Sequence, residues 1–469
     1  MNLKQLILKE IGPFKNETIE FQINDNEPNI HIFAGSNGTG KTTILHALSS
    51  SFDYFEPDHK EHTSNNIQKR FIKTHHGQKF EDDKNELAKS LVHITIVDEN
   101  GKMIDKIVNY GCKNCNNIHQ NFEKQISNNL SISKHGNNFQ KSPHSKDLLT
   151  YKNAILSKDI NQHKFKFVAF GYSGYRFIET EDVQISNNEN FNPLHLALEF
   201  VKKKDGSEKQ FLISNWIVSR YSKAALEEVA GNIEIAEKYR FAIEKLIKCI
   251  NDLTNGSYQI KVETNPLTVK TEFCGISLEF DVLPDGLRSI LSWLGDLLMR
   301  LDAIPWENKS IPITEQKIFL FLDEIEVHLH PTWQYKILGI INNLLPNAQI
   351  FISTHSPFII NSIDNAKIYL LENVNCKSKL KEVIKSQTGW SIQFVLKNIL
   401  KANEIFGYDT VVQLKRFEEI EKEILEKEFK NEEEIINLIQ LLKKDGEEVF
   451  YLIVPKIINL EEITGRKYL

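Results

Sequence analysis

Apolar and polar residues alternate at 2–10 and again at 18–23, a period of two that predicts two strands joined at an IGPF turn. IHIFA at 30–34 predicts a short buried strand. A Gly-rich stretch follows it, then a helix expected from about Thr42 to Ser51. LVHITIV (91–97) and KMIDKIV (102–108) flank an ENG turn and predict a hairpin. FKFVAF at 165–170 predicts a strand running into GYSGYRF. Helical periodicity covers 191–254, and strands are expected at 258–264 and 276–283. Ile290, Leu294, Leu297, Leu298 and Leu301 make one apolar stripe on a helix over about 288–301. KIFLFLDE (317–324) and AQIFISTH carry the continuous apolar runs of strands buried on both faces, with a helical WQYKILGIINNLL between them. KIYLLEN (367–373) predicts a further strand, and the last ~80 residues read as charged amphipathic helices.

Strands alternating with helices predict an α/β fold around a doubly wound, mostly parallel sheet. The N-terminal strands would form a small antiparallel lobe. The expected division is 1–190 for a first lobe, 191–256 for a helical region, 257–375 for a second lobe and 376–469 for a helical tail. A polar insertion at 111–164 interrupts the first lobe; it holds ten Asn, eight Lys and three acidic residues, and is expected to be loop-rich.

Composition excludes several classes. No apolar run approaches the ~20 residues that span a bilayer, and the N-terminus lacks a signal-peptide pattern, so a cytoplasmic protein with no membrane contact is expected. Five cysteines in 469 residues make no disulfide framework. The net charge of −6 gives no global attraction to DNA or RNA. Nucleic-acid contact would rest on a local patch such as the insertion, which lacks interleaved aromatics for base stacking. Cys112, Cys115 and His119, with His135 or His144, have spacing that zinc would accept, although free surface thiols are the preferred reading. His328 and His330 are expected to be structural or subunit-contact residues rather than metal ligands.

Gly35-Ser36-Asn37-Gly38-Thr39-Gly40-Lys41-Thr42 matches GxxxxGK[ST] in full, with a strand before it and a helix after it. Glycines let backbone N–H groups wrap phosphates, and the helix N-terminus adds positive dipole. Lys41 is expected to reach the β/γ-phosphates of ATP, the Thr42 hydroxyl to bind Mg²⁺, and Thr43 to meet the α-phosphate. The strand at 318–322 ends in Asp323 and Glu324, which suits a metal-holding carboxylate followed by a general base. His355 ends the next strand, one helix later. That spacing predicts a βαβ unit with Asp323 and His355 at one sheet edge, where His355 would sense the γ-phosphate.

These motifs resemble the ABC/SMC-like ATPase superfamily: Walker A at 35–42, Walker B at 318–324 and the H-switch at His355. EIEVHLHP at 324–331 and FGYSGYRF at 170–177 are similar to elements of its bacterial anti-phage defence branch. The resemblance implies a head-to-tail homodimer or a higher oligomer with ATP between copies. The signature loop departs from the family's LSGG or LSDG, reading Leu283-Pro284-Asp285-Gly286-Leu287-Arg288-Ser289. Pro284 removes a hydroxyl and an N–H, so Asp285, Gly286 and Arg288 become the candidates for contacting nucleotide on the opposite copy. Slow hydrolysis is then plausible. Gln162 and Gln184 are the candidates for the Q-loop, and Arg176 for a phosphate contact, a partner contact or, equally, a structural ion pair.

No DxD pair for a Toprim nuclease, no HNH signature and no long heptad arm occurs. The size and layout resemble the PtuA family of Septu systems, including retron-linked forms, with the AriA family of PARIS close behind. That resemblance implies a separate HNH or Toprim nuclease chain as partner. A non-hydrolysing ATP-dependent scaffold and a short-armed DNA-repair ATPase remain the alternatives.

Overall fold

The computed structural model describes residues 1–24, 26–50, 52, 90–110, 130–135, 138–143, 146–155, 157, 159–174, 192–195, 197–198, 213–265, 267–279, 282–375, 377–401, 406–425 and 432–468. They fall into two compact units, residues 1–392 and 393–469.

The first unit is built on one large sheet. Its parallel core contains β3 (Ile30–Ala34), β8 (Phe167–Tyr172), β12 (Lys317–Leu322), β13 (Gln349–Thr354) and β14 (Lys367–Val374) in the order β14-β3-β13-β12-β8. All four neighbouring pairs are parallel. Every residue of β3 and β13, and all of β12 after Lys317, is buried. That is why these segments read as unbroken apolar runs.

An antiparallel lobe extends the sheet: β1 (Asn2–Ile11), β2 (Phe14–Glu20), β4 (Ser90–Val97), β5 (Met103–Tyr110), β6 (Leu130–His135) and β7 (Asn138–Pro143). β15 (Lys377–Lys385) is antiparallel to β14 and meets β2 through the parallel pair Ser378↔Phe14. Core and lobe are therefore one continuous sheet of twelve strands among the described residues. A separate three-stranded antiparallel sheet holds β9 (Tyr258–Thr264), β10 (Leu267–Phe273) and β11 (Ile276–Leu278).

The helices of this unit include α1 (Lys41–Ser49), α2 (Lys146–Ile155), α3 (Ile213–Val229) and α4 (Ile233–Thr254). α5 (Asp285–Ile290) and α6 (Asp296–Ala303) are joined by a π-helical turn, Leu291–Gly295. α7 (Pro331–Leu344) connects β12 to β13, and α8 (Pro357–Ile360) follows β13. In the second unit, α9 (Tyr408–Leu425), α10 (Glu432–Asp445) and α11 (Glu447–Thr464) enclose Phe417, Ile420, Ile435, Leu442, Ile453 and Ile457.

Three expectations need correction. The segment expected to be a helical tail from 376 begins instead with β15. Its exposed Lys377, Lys379 and Lys381 alternate with Ser378 and Leu380, and the charges masked a strand period. The insertion at 111–164 is not simply loop: its described part holds the β6–β7 hairpin and α2, with Leu148, Tyr151 and Ala154 buried. The strand expected at 276–283 is short, and β10, which the sequence reading passed over, pairs with it. Among the described residues no helix is long and apolar enough to cross a membrane.

Candidate functional site

The site lies where β3, β13 and β12 end together. β3 delivers the 35–42 turn, β12 delivers Asp323 and Glu324, and β13 delivers Ser353 to His355. The turn and the carboxylates are not on neighbouring strands, because β13 lies between them. They still meet: the Thr42 hydroxyl donates to Asp323 Oδ1 at 3.0 Å, across 281 positions of sequence.

Glycine is demanded by geometry at two places in the turn. A Cβ on Gly35 would sit 2.4 Å from the Leu371 carbonyl oxygen. One on Gly40, at φ +83°, would strike Phe14 and Pro13 at 2.5 and 2.7 Å. Ser36, Asn37 and Gly38 are exposed at the rim, while Thr39 is buried and donates to the Ser36 carbonyl at 2.9 Å. Thr43 packs beneath Gly12 of the β1–β2 turn.

Lys41 is buried, and its ammonium donates to the carbonyls of Gly35 (2.9 Å) and Ser36 (3.0 Å). Burial lowers it to about 8, against the opposing pull of Asp323, Glu326 and Glu324. Asp323 is itself buried. Its Oδ1 is instead held by two hydroxyls, Thr42 and Ser353, and its backbone N–H donates to the Tyr172 carbonyl. Hydroxyl and carboxylate oxygens facing one point suit Mg²⁺, a hard cation that prefers oxygen ligands.

Glu324 is exposed and adopts φ +48°, a left-handed conformation rare outside glycine. Its N–H is held by Ser353, through both the backbone carbonyl (3.1 Å) and Oγ (3.0 Å). Its side chain lies against Gly174, where a Cβ would come 2.8 Å from Oε2 and 3.1 Å from the Glu324 Cβ. Glu324 therefore rests on a seat without a side chain, inside the GYSGYRF element. His355 is half-buried; burial lowers its imidazole, Lys41 lowers it further and Asp323 raises it. It accordingly shares the field of the same lysine and carboxylate.

The signature-like loop sits against the segment after Glu324. Gly286 is buried, and a Cβ there would meet the Trp333 ring at 2.7 Å and the His328 carbonyl at 3.0 Å. The Ser289 hydroxyl donates to the Val327 carbonyl at 3.3 Å. Asp285 is exposed and ion-paired with Arg288, which holds its carboxyl below the ordinary range. Pro284 is the N-cap of α5 and supplies no side-chain cap. His330 caps α7 by accepting the Thr332 N–H.

Some sequence candidates fall elsewhere. Gln162 hydrogen-bonds Asp159 near the start of β8, the end of that strand away from Tyr172 and Asp323. Gln184, Arg176, Cys112, Cys115, His119 and His144, and the side chain of His135, lie outside the described residues. The sequence reading missed Ser353, Gly174 and Glu326. Ser353 had a signal, a hydroxyl residue two before the switch histidine; the other two are visible only in three dimensions.

Similarity to known proteins fits this geometry. A probable ATPase of retron Ec83 from Escherichia coli is 24% identical over 444 residues, covering 86% of this chain and 76% of its own. Septu protein PtuA from Bacillus thuringiensis is 21% identical over 413 residues, covering 86% and 85%. A probable ATPase of retron Vc95 from Vibrio cholerae is 22% identical over 447 residues, covering 86% and 81%. Among solved structures, an SMC head bound to the C-winged helix domain of ScpA is 14% identical and covers 83% of this chain and 98% of its own, at TM-score 0.45. The SMC head domain from Thermotoga maritima is 12% identical, covering 82% and 100%, at TM-score 0.38. The family model described as "AAA domain, putative AbiEii toxin, Type IV TA system" matches residues 30–361, from β3 to just past His355, and the chain belongs to that family.

Proposed function

We propose that this chain is the ATP-hydrolysing subunit of a cytoplasmic anti-phage defence system, acting as a head-to-tail pair or higher oligomer that assembles or gates a separate HNH or Toprim nuclease. The observation that carries the ATPase part is the 3.0 Å bond between Thr42 and Asp323, which brings two distant motifs together as a shared phosphate-and-metal site would require. The 35–42 turn offers N–H groups to the phosphates, and Lys41 neutralises charge on the β/γ oxygens. Thr42 and Asp323 are the residues that would hold Mg²⁺, which when bound neutralises charge building up on the phosphate oxygens. Glu324 orients and deprotonates the attacking water, and His355 hydrogen-bonds the γ-phosphate. Asp285, Gly286 and Arg288 would meet the nucleotide of the opposite copy. The defence role and the nuclease partner rest on the motif resemblance and on the similarity to Septu PtuA and the retron ATPases.

A second reading, an ATP-dependent scaffold without turnover, is favoured by Pro284, which leaves the α5 terminus without a side-chain cap. Phosphate release from the purified protein separates the two. The ATPase reading expects turnover that falls by about 10²-fold or more in Glu324→Gln with ATP binding kept, and loss of binding in Lys41→Ala. Equal, negligible release from parent and Glu324→Gln would favour the scaffold. Phage plating with and without a co-expressed candidate HNH or Toprim nuclease chain tests the partner.

A further inference from the structure

The segment after the carboxylate pair sends one side chain back into the protein. Glu326 Oε1 accepts the backbone N–H of His355 at 2.6 Å. Its Oε2 is buried with no hydrogen-bond partner among the described residues. Lys41 and Glu324 both act on it electrostatically, with opposite sign. Burial holds its carboxyl above the ordinary range, opposed first by the His355 N–H and then by its own N–H and the Thr354 side chain. A carboxylate held inside is costly unless hydrogen bonds compensate it. Solvent would accept it at little cost, so its inward position needs a reason.

A second tie runs beside the first. Gln334 Nε2 donates to the Leu329 carbonyl at 2.7 Å, and its Oε1 accepts the Ser356 hydroxyl. The same Ser356 oxygen caps α8 through the N–H groups of Phe358 and Ile359. The chain at 326–334 thus grips β13's exit at two consecutive residues, His355 and Ser356. Glu326 alone acts on the backbone of the switch histidine, and so on the direction in which its ring leaves the strand.

We infer that Glu326 is a positioning residue for His355, holding its backbone so that the imidazole meets the γ-phosphate and the site distinguishes ATP from ADP. The inference deepens the ATPase reading and rests on it. Glu326 touches no nucleotide atom in this role. Because its Oε1 acts as an acceptor, a side-chain amide can replace it and a methyl group cannot.

The test compares ATP and ADP affinity, by displacement of a fluorescent nucleotide, in parent, Glu326→Ala, Glu326→Gln, His355→Ala and the Glu326→Ala/His355→Ala double variant. Expected are a fall of about tenfold in the ATP-over-ADP ratio for Glu326→Ala, ADP affinity within about twofold of parent, and a ratio near parental in Glu326→Gln. The double variant should lose no more than His355→Ala alone, as coupled residues do. A thermal melt accompanies each protein. If Glu326→Ala does not fold, Glu326→Asp, one methylene too short to reach the N–H, should show the lost ratio. The inference is overturned by a parental ratio in Glu326→Ala, by losses that add in the double variant, or by a Glu326→Gln as impaired as Glu326→Ala. A parental ratio in His355→Ala also overturns it, while leaving ATP binding at 35–42 intact. The failure of Lys41→Ala to weaken nucleotide binding would instead sink the ATPase reading itself and this inference with it.

Discussion

Replacing Gly174 with alanine adds one methyl group against the carboxylate proposed as general base. The new Cβ would lie 2.8 Å from Glu324 Oε2 and 3.1 Å from its Cβ. Ordinary contact begins near 3.4 Å, so the carboxylate must withdraw by roughly 0.6 Å. The backbone at Gly174 is not in the left-handed region, so alanine adds no strain of its own there. The Glu324 Cβ is tethered through its own N–H to Ser353, so the adjustment falls on the side chain that carries the chemistry. A misplacement near 1 Å costs about 10²-fold in rate, which places Gly174→Ala between about tenfold and 10²-fold down in kcat, or ~1.4–2.7 kcal/mol. ATP affinity should stay within about twofold, because the 35–42 turn does not touch this contact. Steady-state phosphate release gives kcat, and fluorescent-nucleotide titration gives affinity. A Gly174→Ala protein that hydrolyses ATP at the parental rate would show that Glu324 does not work from its seat on Gly174, and would refute the assignment of the base.

Further outcomes follow from the same geometry. Gly35→Ala drives a Cβ into the Leu371 carbonyl, which as backbone cannot yield, so ATP binding should be lost with ~1–3 kcal/mol of stability, read by titration and thermal melting. Gly286→Ala meets the Trp333 ring and should lower the melting temperature by a comparable energy, whereas Gly339→Ala, in α7 with nothing within 4 Å, should raise stability by ~0.5–1 kcal/mol. Lys41 carries a folded-state value of about 8 against an ordinary 10.5, so the unfolded chain binds the extra proton between those limits and this lysine's destabilising contribution shrinks as pH rises from 8 to 10.5. Phosphates favour the protonated amine. ATP binding at pH 9 should therefore take up a proton and weaken relative to pH 7, which calorimetry in two buffers of different ionisation enthalpy detects.

What the sequence made legible was chemistry carried by contiguous residues. The 35–42 turn, the Asp323–Glu324 strand end and His355 could be read because each motif sits at the end of an apolar run whose type is unambiguous. The βαβ spacing between β12 and β13 then placed Asp323 and His355 at a common edge. Contacts that depend on strand order were not legible. Ser353 reaches Asp323 because β13 lies between β3 and β12, and no periodicity states that order. Gly174 matters only because Glu324 turns through φ +48° and lays its side chain back over β8's exit. β15 was hidden for another reason: lysines on the exposed face of a strand next to a helical tail carry the same composition as a solvated helix. The same physics explains why Asp323 needs Ser353 at all. A buried carboxylate needs hydrogen-bond donors, and the two hydroxyls on its Oδ1 provide them. Those hydroxyls also fix the oxygen's direction, so its geometry is set by the fold, with Thr42 and Ser353 fastening the 35–42 turn and the end of β13 to the same atom.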